Sequence, residues 1–142
     1  MHAALRALDA IELALPSAEP PCPCHNDLLP ANLLDDGERV RIIDWEYAGM
    51  GDRWFDLGNL AANTELDAAG ERALLAAYAG TVTDDDLRHL RLMRLASEMR
   101  ESLWGYLQSG ISTLDVDFRA YGAERLARFL ARAGTVDATV TA

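Results

Sequence analysis

A chain of 142 residues is the size of one domain, and 50% hydrophobic with 25% charged residues is a globular composition, not a disordered, collagenous or coiled-coil one. Its 23 acidic residues against 13 basic ones, all of them arginine, give a formal charge of −10, a balance that repels nucleic-acid phosphates and anionic lipid surfaces and draws in small cations. No apolar run approaches the about 20 residues of a membrane span, Arg6, Asp9 and Glu12 interrupt any signal-peptide core, and two cysteines one residue apart make no disulfide framework, so a cytoplasmic, reducing setting is expected.

In chain order, Leu5, Leu8, Ile11 and Leu15 share one helical face, which predicts an amphipathic helix over Ala3–Leu15. The proline-rich stretch Pro16–Pro23 predicts a loop. Leu33-Leu34 and Val40–Ile43 read as two short strands joined by a turn with Asp36-Gly37 at its tip, a β-hairpin. Trp45–Arg53, punctuated by Gly49 and Gly51, reads as loop, and from Trp54 the pattern becomes helical through Phe55, Leu57, Leu60 and Ala61. A second helix is expected over Ala68–Ala79 with Gly80 as its C-cap. Thr83, with Asp86 three residues on, predicts a capped start for a long helix to about Ser109, carrying a buried stripe of Leu87, Leu90, Met93, Leu95, Met99, Leu103 and Leu107. A last helix is expected over Phe118–Ala133 with Tyr121, Leu126, Phe129 and Leu130 inward, followed by a frayed tail from Thr135 to Ala142. The fold class is therefore α+β, mainly α: a helical bundle with a small β-hairpin, in one domain spanning residues 1–142. Neither a Rossmann alternation nor a glycine-rich phosphate loop is present in the sequence.

The chemistry is concentrated in His25-Asn26-Asp27-Leu28-Leu29-Pro30-Ala31-Asn32 and in Ile42-Ile43-Asp44-Trp45-Glu46. An aspartate, an asparagine five positions later and a second aspartate beyond a hairpin form the polar skeleton of kinase-type phosphoryl transfer. That reaction needs an aligned acceptor hydroxyl and Mg²⁺ to neutralise the phosphates, and amide and carboxylate oxygens are hard donors suited to that ion.

These two segments, with the run to Ala61 (IIDWEYAGMGDRWFDLGNLA), resemble the catalytic lobe of the choline/ethanolamine kinase family within the aminoglycoside-phosphotransferase and protein-kinase-like superfamily. The resemblance extends over nearly the whole chain and implies a protein-kinase-like C-terminal lobe. It implies Asp27 as catalytic base with His25 as a member of the catalytic loop, Asn32 and Asp44 as Mg²⁺ ligands, and ATP as co-substrate. It also implies that Asp56 braces the loop. Arg53, just before it, would brace the loop through an ion pair or be simply solvated. Trp104 to Ser112, with Tyr121 and Tyr47, resembles the acceptor pocket of choline kinases, in which aromatic faces hold a quaternary ammonium. Glu101, where the family often carries a second tryptophan, would add negative charge on the face of Trp104, and Asn63 stands at a further, usually acidic, pocket position. The family's N-terminal lobe, with its phosphate-gripping lysine, has no counterpart here. The chain alone is thus expected to be inactive, being either a fragment or completed by a partner chain that supplies the missing lobe, and apolar surface left exposed along the cleft is expected to favour self-association. The expected partners are ATP and a small cationic alcohol, with no nucleic acid and no membrane. An aminoglycoside or other hydroxylated amine is the alternative acceptor, and a non-catalytic cation-binding or interaction module the alternative class.

Other residues have plainer readings. Cys22-Pro23-Cys24-His25 is too narrowly spaced for a zinc site and reads as two buried thiols on a strand entering the loop. His2 and His89 read as surface or packing residues, Trp45, Trp54 and Phe55 as structural, and Asp84-Asp85-Asp86 as a helix cap. On periodicity alone Trp104 and Tyr121 would be core.

Overall fold

The computed structural model describes residues 2–16 and 20–140. Its elements are α1 (His2–Ala14), β1 (Cys22–Cys24), a 3₁₀ turn (Pro30–Asn32), β2 (Leu33–Asp35), β3 (Val40–Ile42), β4 (Gly49–Gly51), α2 (Arg53–Asn63), α3 (Ala68–Ala79), α4 (Asp84–Ile111) and α5 (Phe118–Val140). The chain is mainly helical with a small antiparallel hairpin, as its patterning requires. The described residues fall into two compact units, one of Ala14–Arg94 and one of α1 to Leu13 with the chain from Leu95 onward.

In the Ala14–Arg94 unit, β2 and β3 pair antiparallel, Leu33 opposite Ile42 and Asp35 opposite Val40. The turn between them is fixed by Asp36, whose Oδ1 accepts the backbone N–H groups of Glu38 (3.0 Å) and Arg39 (2.9 Å), and by Gly37 at φ 85°. These bonds hold the Asp36 carboxyl below its usual range. The segment expected as a loop after Asp44 contains β4, which pairs with β1: Cys22 opposite Gly51 and Cys24 opposite Gly49. A three-residue strand with two glycines has no alternation to detect, and its partner lies far away in sequence.

Helix starts and stops follow local chemistry. Asp52 accepts the Trp54 N–H (2.9 Å) to cap α2, and Asp67 accepts the Gly70 N–H (2.8 Å) to cap α3. Gly80, at φ 81°, closes α3. At the start of α4, Thr83 Oγ1 accepts the Asp86 N–H (3.1 Å) while Asp86 Oδ2 accepts the Thr83 N–H (2.8 Å), the reciprocal capping box expected there.

The core of this unit joins Trp54, Leu57 and Ala61 of α2, Leu75 of α3, and Leu87, Leu90 and Met93 of α4. Gly58 lets α2 and α4 approach closely: a Cβ there would stand 2.6 Å from the backbone at Met93 and Arg94. A buried ion pair lies beside it, with Arg94 Nη1 donating to Glu71 Oε1 and to the Leu66 carbonyl (2.7 Å each) and Arg91 Nε to Glu71 Oε2 (2.8 Å). His89 is a packing residue, stacked on Trp54 with ring centroids 4.5 Å apart.

In the other unit, Ala4 and Ile11 of α1, Leu95 and Met99 of α4 and Phe129 of α5 are buried. The buried faces are narrower than their periodicity suggests: Leu5 of α1, Leu103 and Leu107 of α4 and Leu130 of α5 are exposed. α5 continues to Val140 where a frayed tail was expected. Ser17–Glu19 of the proline-rich segment, the side chain of His2, and Thr141-Ala142 of that tail lie outside the described residues.

Candidate active site

β1 delivers the chain directly into His25-Asn26-Asp27. The Asp56 carboxylate, in the first turn of α2, accepts the His25 N–H through Oδ2 and the Asn26 N–H through Oδ1, both at 2.7 Å. This clamp holds Asn26 at φ 64°, a left-handed conformation that asparagine tolerates better than most residues. Arg53 opens the same helix, three residues before Asp56 and therefore on the same face.

His25 is buried, and both of its ring nitrogens are engaged: Nδ1 accepts the Asp27 N–H (3.2 Å) and Nε2 bonds the Ile43 carbonyl (2.8 Å). The network assigns the proton to Nε2. Its ring meets Trp45 edge-on, centroids 4.7 Å apart. Trp45, itself half exposed, donates from Nε1 to the Ile42 carbonyl (3.0 Å).

The 3₁₀ turn, started by Pro30, places Asn32 in a buried position. Its Nδ2 donates to the Asp27 carbonyl (3.0 Å), and its own carbonyl accepts the Ile43 N–H (3.0 Å). Ile43 is thus tied to both His25 and Asn32, and the next residue, Asp44, is held at φ 63°. The structure therefore brings Asp27, Asn32 and the backbone leading to Asp44 into one hydrogen-bonded frame.

Asn26 is a member of this frame that sequence reasoning passed over. Its Nδ2 donates to the Tyr47 carbonyl (3.0 Å), and its side chain lies under β4, 3.8 Å from where a Cβ on Gly49 would be. The signal for it was the pair of glycines, which leave room for that side chain. Tyr47 itself is half exposed.

Glu101, Trp104 and Tyr121 come together in the other unit. There Gly105 of α4 meets Gly122 of α5 so closely that a Cβ on Gly105 would lie 2.8 Å from the Gly122 backbone, and Ser102 Oγ donates to the Gly122 carbonyl (2.8 Å). The close crossing sets Tyr121 against Trp104, centroids 5.9 Å apart at 79°, with Phe118 on Trp104 at 5.5 Å and 81°. Tyr121 Oη donates to Glu101 Oε2 and Arg100 Nη2 donates to Glu101 Oε1, each at 2.6 Å. Burial and then the bond to Glu101 push the Tyr121 phenol up to about 12. Glu101 is itself buried, and its two oxygens are taken up by Tyr121 and Arg100, so it fixes the tyrosine ring as well as carrying charge. Phe118 and Arg125, whose guanidinium lies 5.1 Å from the Tyr121 ring centroid, were not singled out by sequence.

Asn63 Nδ2 makes a long contact with the Leu28 carbonyl (3.4 Å). Asp84, Asp85 and Asp86 occupy the first turn of α4, where Asp86 makes the capping box with Thr83. No helix among the described residues is long and apolar enough to cross a membrane.

The profile of the phosphotransferase enzyme family (APH) matches residues 2–93. The chain belongs to that family. Protein LicA of Haemophilus influenzae is 36% identical over 75 residues, covering 49% of this chain and 28% of LicA. Human ethanolamine kinase 2 is 35% identical over 127 residues, covering 75% of this chain and 33% of the kinase. The fold is similar to that of a choline/ethanolamine kinase family protein from Mesorhizobium loti, with a TM-score of 0.79 and 31% identity over 95% of this chain and 49% of that one. The chain thus spans about a third of these curated relatives and about half of that solved structure.

Proposed function

We propose that residues 1–142 act as the catalytic lobe of an ATP-dependent kinase that transfers the γ-phosphoryl group to a hydroxyl of a cationic amino alcohol of the choline/ethanolamine type. The observation that supports this most is the frame joining Asp27, Asn32 and the approach to Asp44. In this reading Asp27 accepts the acceptor hydroxyl's proton as its oxygen bonds the γ-phosphorus and the bond to the ADP oxygen breaks. His25, with both nitrogens committed, positions Asp27 and moves no proton itself. Asp56, aided by Arg53, holds the loop.

The residues suit Mg²⁺. Asn32 spends its Nδ2 on the Asp27 carbonyl, which leaves Oδ1 as a donor oxygen, and the exposed Asp44 carboxylate has no hydrogen bond among the described residues. Asn32 and Asp44 would hold the ion, and its charge would offset that of the phosphates.

For the acceptor, the partly exposed Trp104 ring and the Tyr121 ring, one side of which already carries the Arg125 guanidinium, meet at 79° and offer aromatic surface to an ammonium group, and the charge of −10 draws cations toward the protein. The names of the relatives, ethanolamine kinase 2 and the choline/ethanolamine kinase family protein, support the same acceptor class. Tyr47 is assigned to acceptor binding by resemblance. With no lysine in 142 residues to grip the phosphates, the chain by itself is proposed to be inactive. The phosphate-gripping group, supplied by the rest of the polypeptide or by a partner, and self-association through exposed Val40, Ile42, Trp45 and Met50 belong to the same proposal.

The test is a calorimetric titration of choline, ethanolamine and an aminoglycoside into the chain with Mg²⁺ present, repeated with Trp104→Ala. Saturable choline or ethanolamine binding, lost in the variant, is the expected result. Binding of the aminoglycoside alone would replace the acceptor class. No binding of any of the three by protein folded by circular dichroism would overturn the acceptor assignment in favour of a non-catalytic module.

A further inference from the structure

We propose that Cys22 and Cys24 are an oxidisable dithiol, a modification site at which a hydroperoxide converts the two thiols into a disulfide within strand β1. Residues two apart on a strand project to the same face, and here the two Sγ atoms are 3.8 Å apart, in contact. The opposite strand presents glycine to both cysteines: Cys22 faces Gly51 and Cys24 faces Gly49. No side chain from β4 therefore comes between the sulfurs, and a Cβ on Gly51 would already stand 3.6 Å from Cys24 Sγ.

The two thiols differ in a way that suits a two-step oxidation. Cys22 is partly buried, with some of its surface open to solvent, and Cys24 is buried. Burial, the bond to Cys22 and the nearby Asp56 and Asp52 carboxylates push the Cys24 thiol up to about 11, so Cys22 is the thiol that meets an oxidant and Cys24 the one that resolves it. In the first step the Cys22 sulfur attacks the terminal peroxide oxygen. An S–O bond forms, the O–O bond breaks, and the alcohol leaves with a proton, giving Cys22 sulfenic acid. In the second step Cys24 sulfur attacks Cys22 sulfur, the S–O bond breaks, and water leaves with the thiol proton. The two sulfurs together lose two electrons to the peroxide.

Cα atoms two apart on a strand are about 6.6 Å apart, close to the upper limit of about 6.8 Å that a disulfide spans. Closing the bridge therefore compresses β1, which makes it a readily reduced disulfide. It also pulls on the residue that follows Cys24, His25, whose N–H is clamped by Asp56 and whose ring carries the Asp27 N–H. The thiol state of β1 thus bears on the catalytic loop.

The experiment is treatment of the folded chain with one equivalent of hydrogen peroxide, followed by alkylation and intact-mass and peptide analysis. Expected are a loss of two hydrogens, protection of both cysteines from alkylation, and full reversal by dithiothreitol. In Cys24→Ser, Cys22 should stop as a sulfenic acid that dimedone captures. The wild-type result stands even if that variant fails to fold. Both cysteines remaining alkylatable, Cys22 advancing to sulfinic acid while Cys24 stays free, or a disulfide linking two chains would each overturn the proposal.

Discussion

The Asp56 clamp lends itself to a quantitative test. One carboxylate accepts two backbone N–H groups, those of His25 and Asn26, at 2.7 Å each. Hydrogen bonds to a charged group contribute about 1.5–3 kcal/mol apiece. Asparagine at position 56 offers one neutral oxygen for the two donors and turns an NH₂ group toward the other. One charge-assisted bond is lost outright and the other is weakened by roughly half, so Asp56→Asn should destabilise by about 2–4 kcal/mol. Urea unfolding followed by circular dichroism reads the total, and amide exchange by NMR reads the place. Exchange at His25 and Asn26 should accelerate by at least about ten-fold beyond any change at the core residue Leu75, because the loss begins at the loop. Asp56→Glu keeps the charge but moves it by one methylene, and should fall between wild type and Asp56→Asn. A destabilisation below about 0.5 kcal/mol, the usual range for an ordinary surface change, with unchanged exchange at both amides, would refute the clamp.

Glu101→Gln should lower the alkaline titration midpoint of Tyr121 from about 12 toward the ordinary 10, read by ultraviolet absorbance. The sign follows: this phenol is raised in the folded state, so its contribution to stability is complete below pH 10 and disappears as pH rises through about 12. Gly105→Ala, which drives a methyl into the Gly122 backbone, should destabilise by about 1–3 kcal/mol. Gly134→Ala, with nothing within 4 Å, should stabilise by up to about 1 kcal/mol from helix propensity, and chemical unfolding of both variants checks the opposite signs. Thr83→Ala should cost α4 about 1 kcal/mol by removing its cap. The same bonds hold the Asp86 carboxyl below the ordinary aspartate range, so their contribution is present above that range and is lost as pH falls through the lower folded value, which acid titration of helicity would follow.

Local chemistry made part of this molecule legible. The Thr83–Asp86 box and the Gly80 cap were readable because each acts on backbone groups within a few residues. The segments around Asp27, Asn32 and Asp44 stand out in the sequence by their spacing, and the structure ties Asp27, Asn32 and the backbone leading to Asp44 into one hydrogen-bonded frame; the roles assigned to them are the proposal made above. What escaped depends on distant pairing. The β1–β4 ladder joins residues such as Cys24 and Gly49, and neither strand is long enough to show a period. The Glu71–Arg94 pair is buried across 23 positions, and nothing near either residue marks it. The stripe on α4 was read through Leu107, but periodicity shows which residues share a face and says nothing about where the neighbouring surface ends.

The groups assigned to phosphate and acceptor are held by different means, and this has a consequence that can be measured. Asp27, Asn32 and the approach to Asp44 are fixed by hydrogen bonds within Ala14–Arg94. Trp104 and Tyr121 are fixed by the Gly105–Gly122 crossing and the Glu101 bond, all from Leu95 onward. The supports described for each set lie within its own unit, so removing a side chain from either should leave the other set's ground-state binding intact. Asp44→Ala should therefore weaken Mg-nucleotide binding without changing choline affinity, and Trp104→Ala should do the reverse, each by calorimetry. Energies of sites with no shared partners add within about 0.5 kcal/mol, so the double variant should show the two losses side by side. Coupling well beyond that figure would mean that the frame around His25 and the aromatic corner support each other, and would overturn the separate assignment.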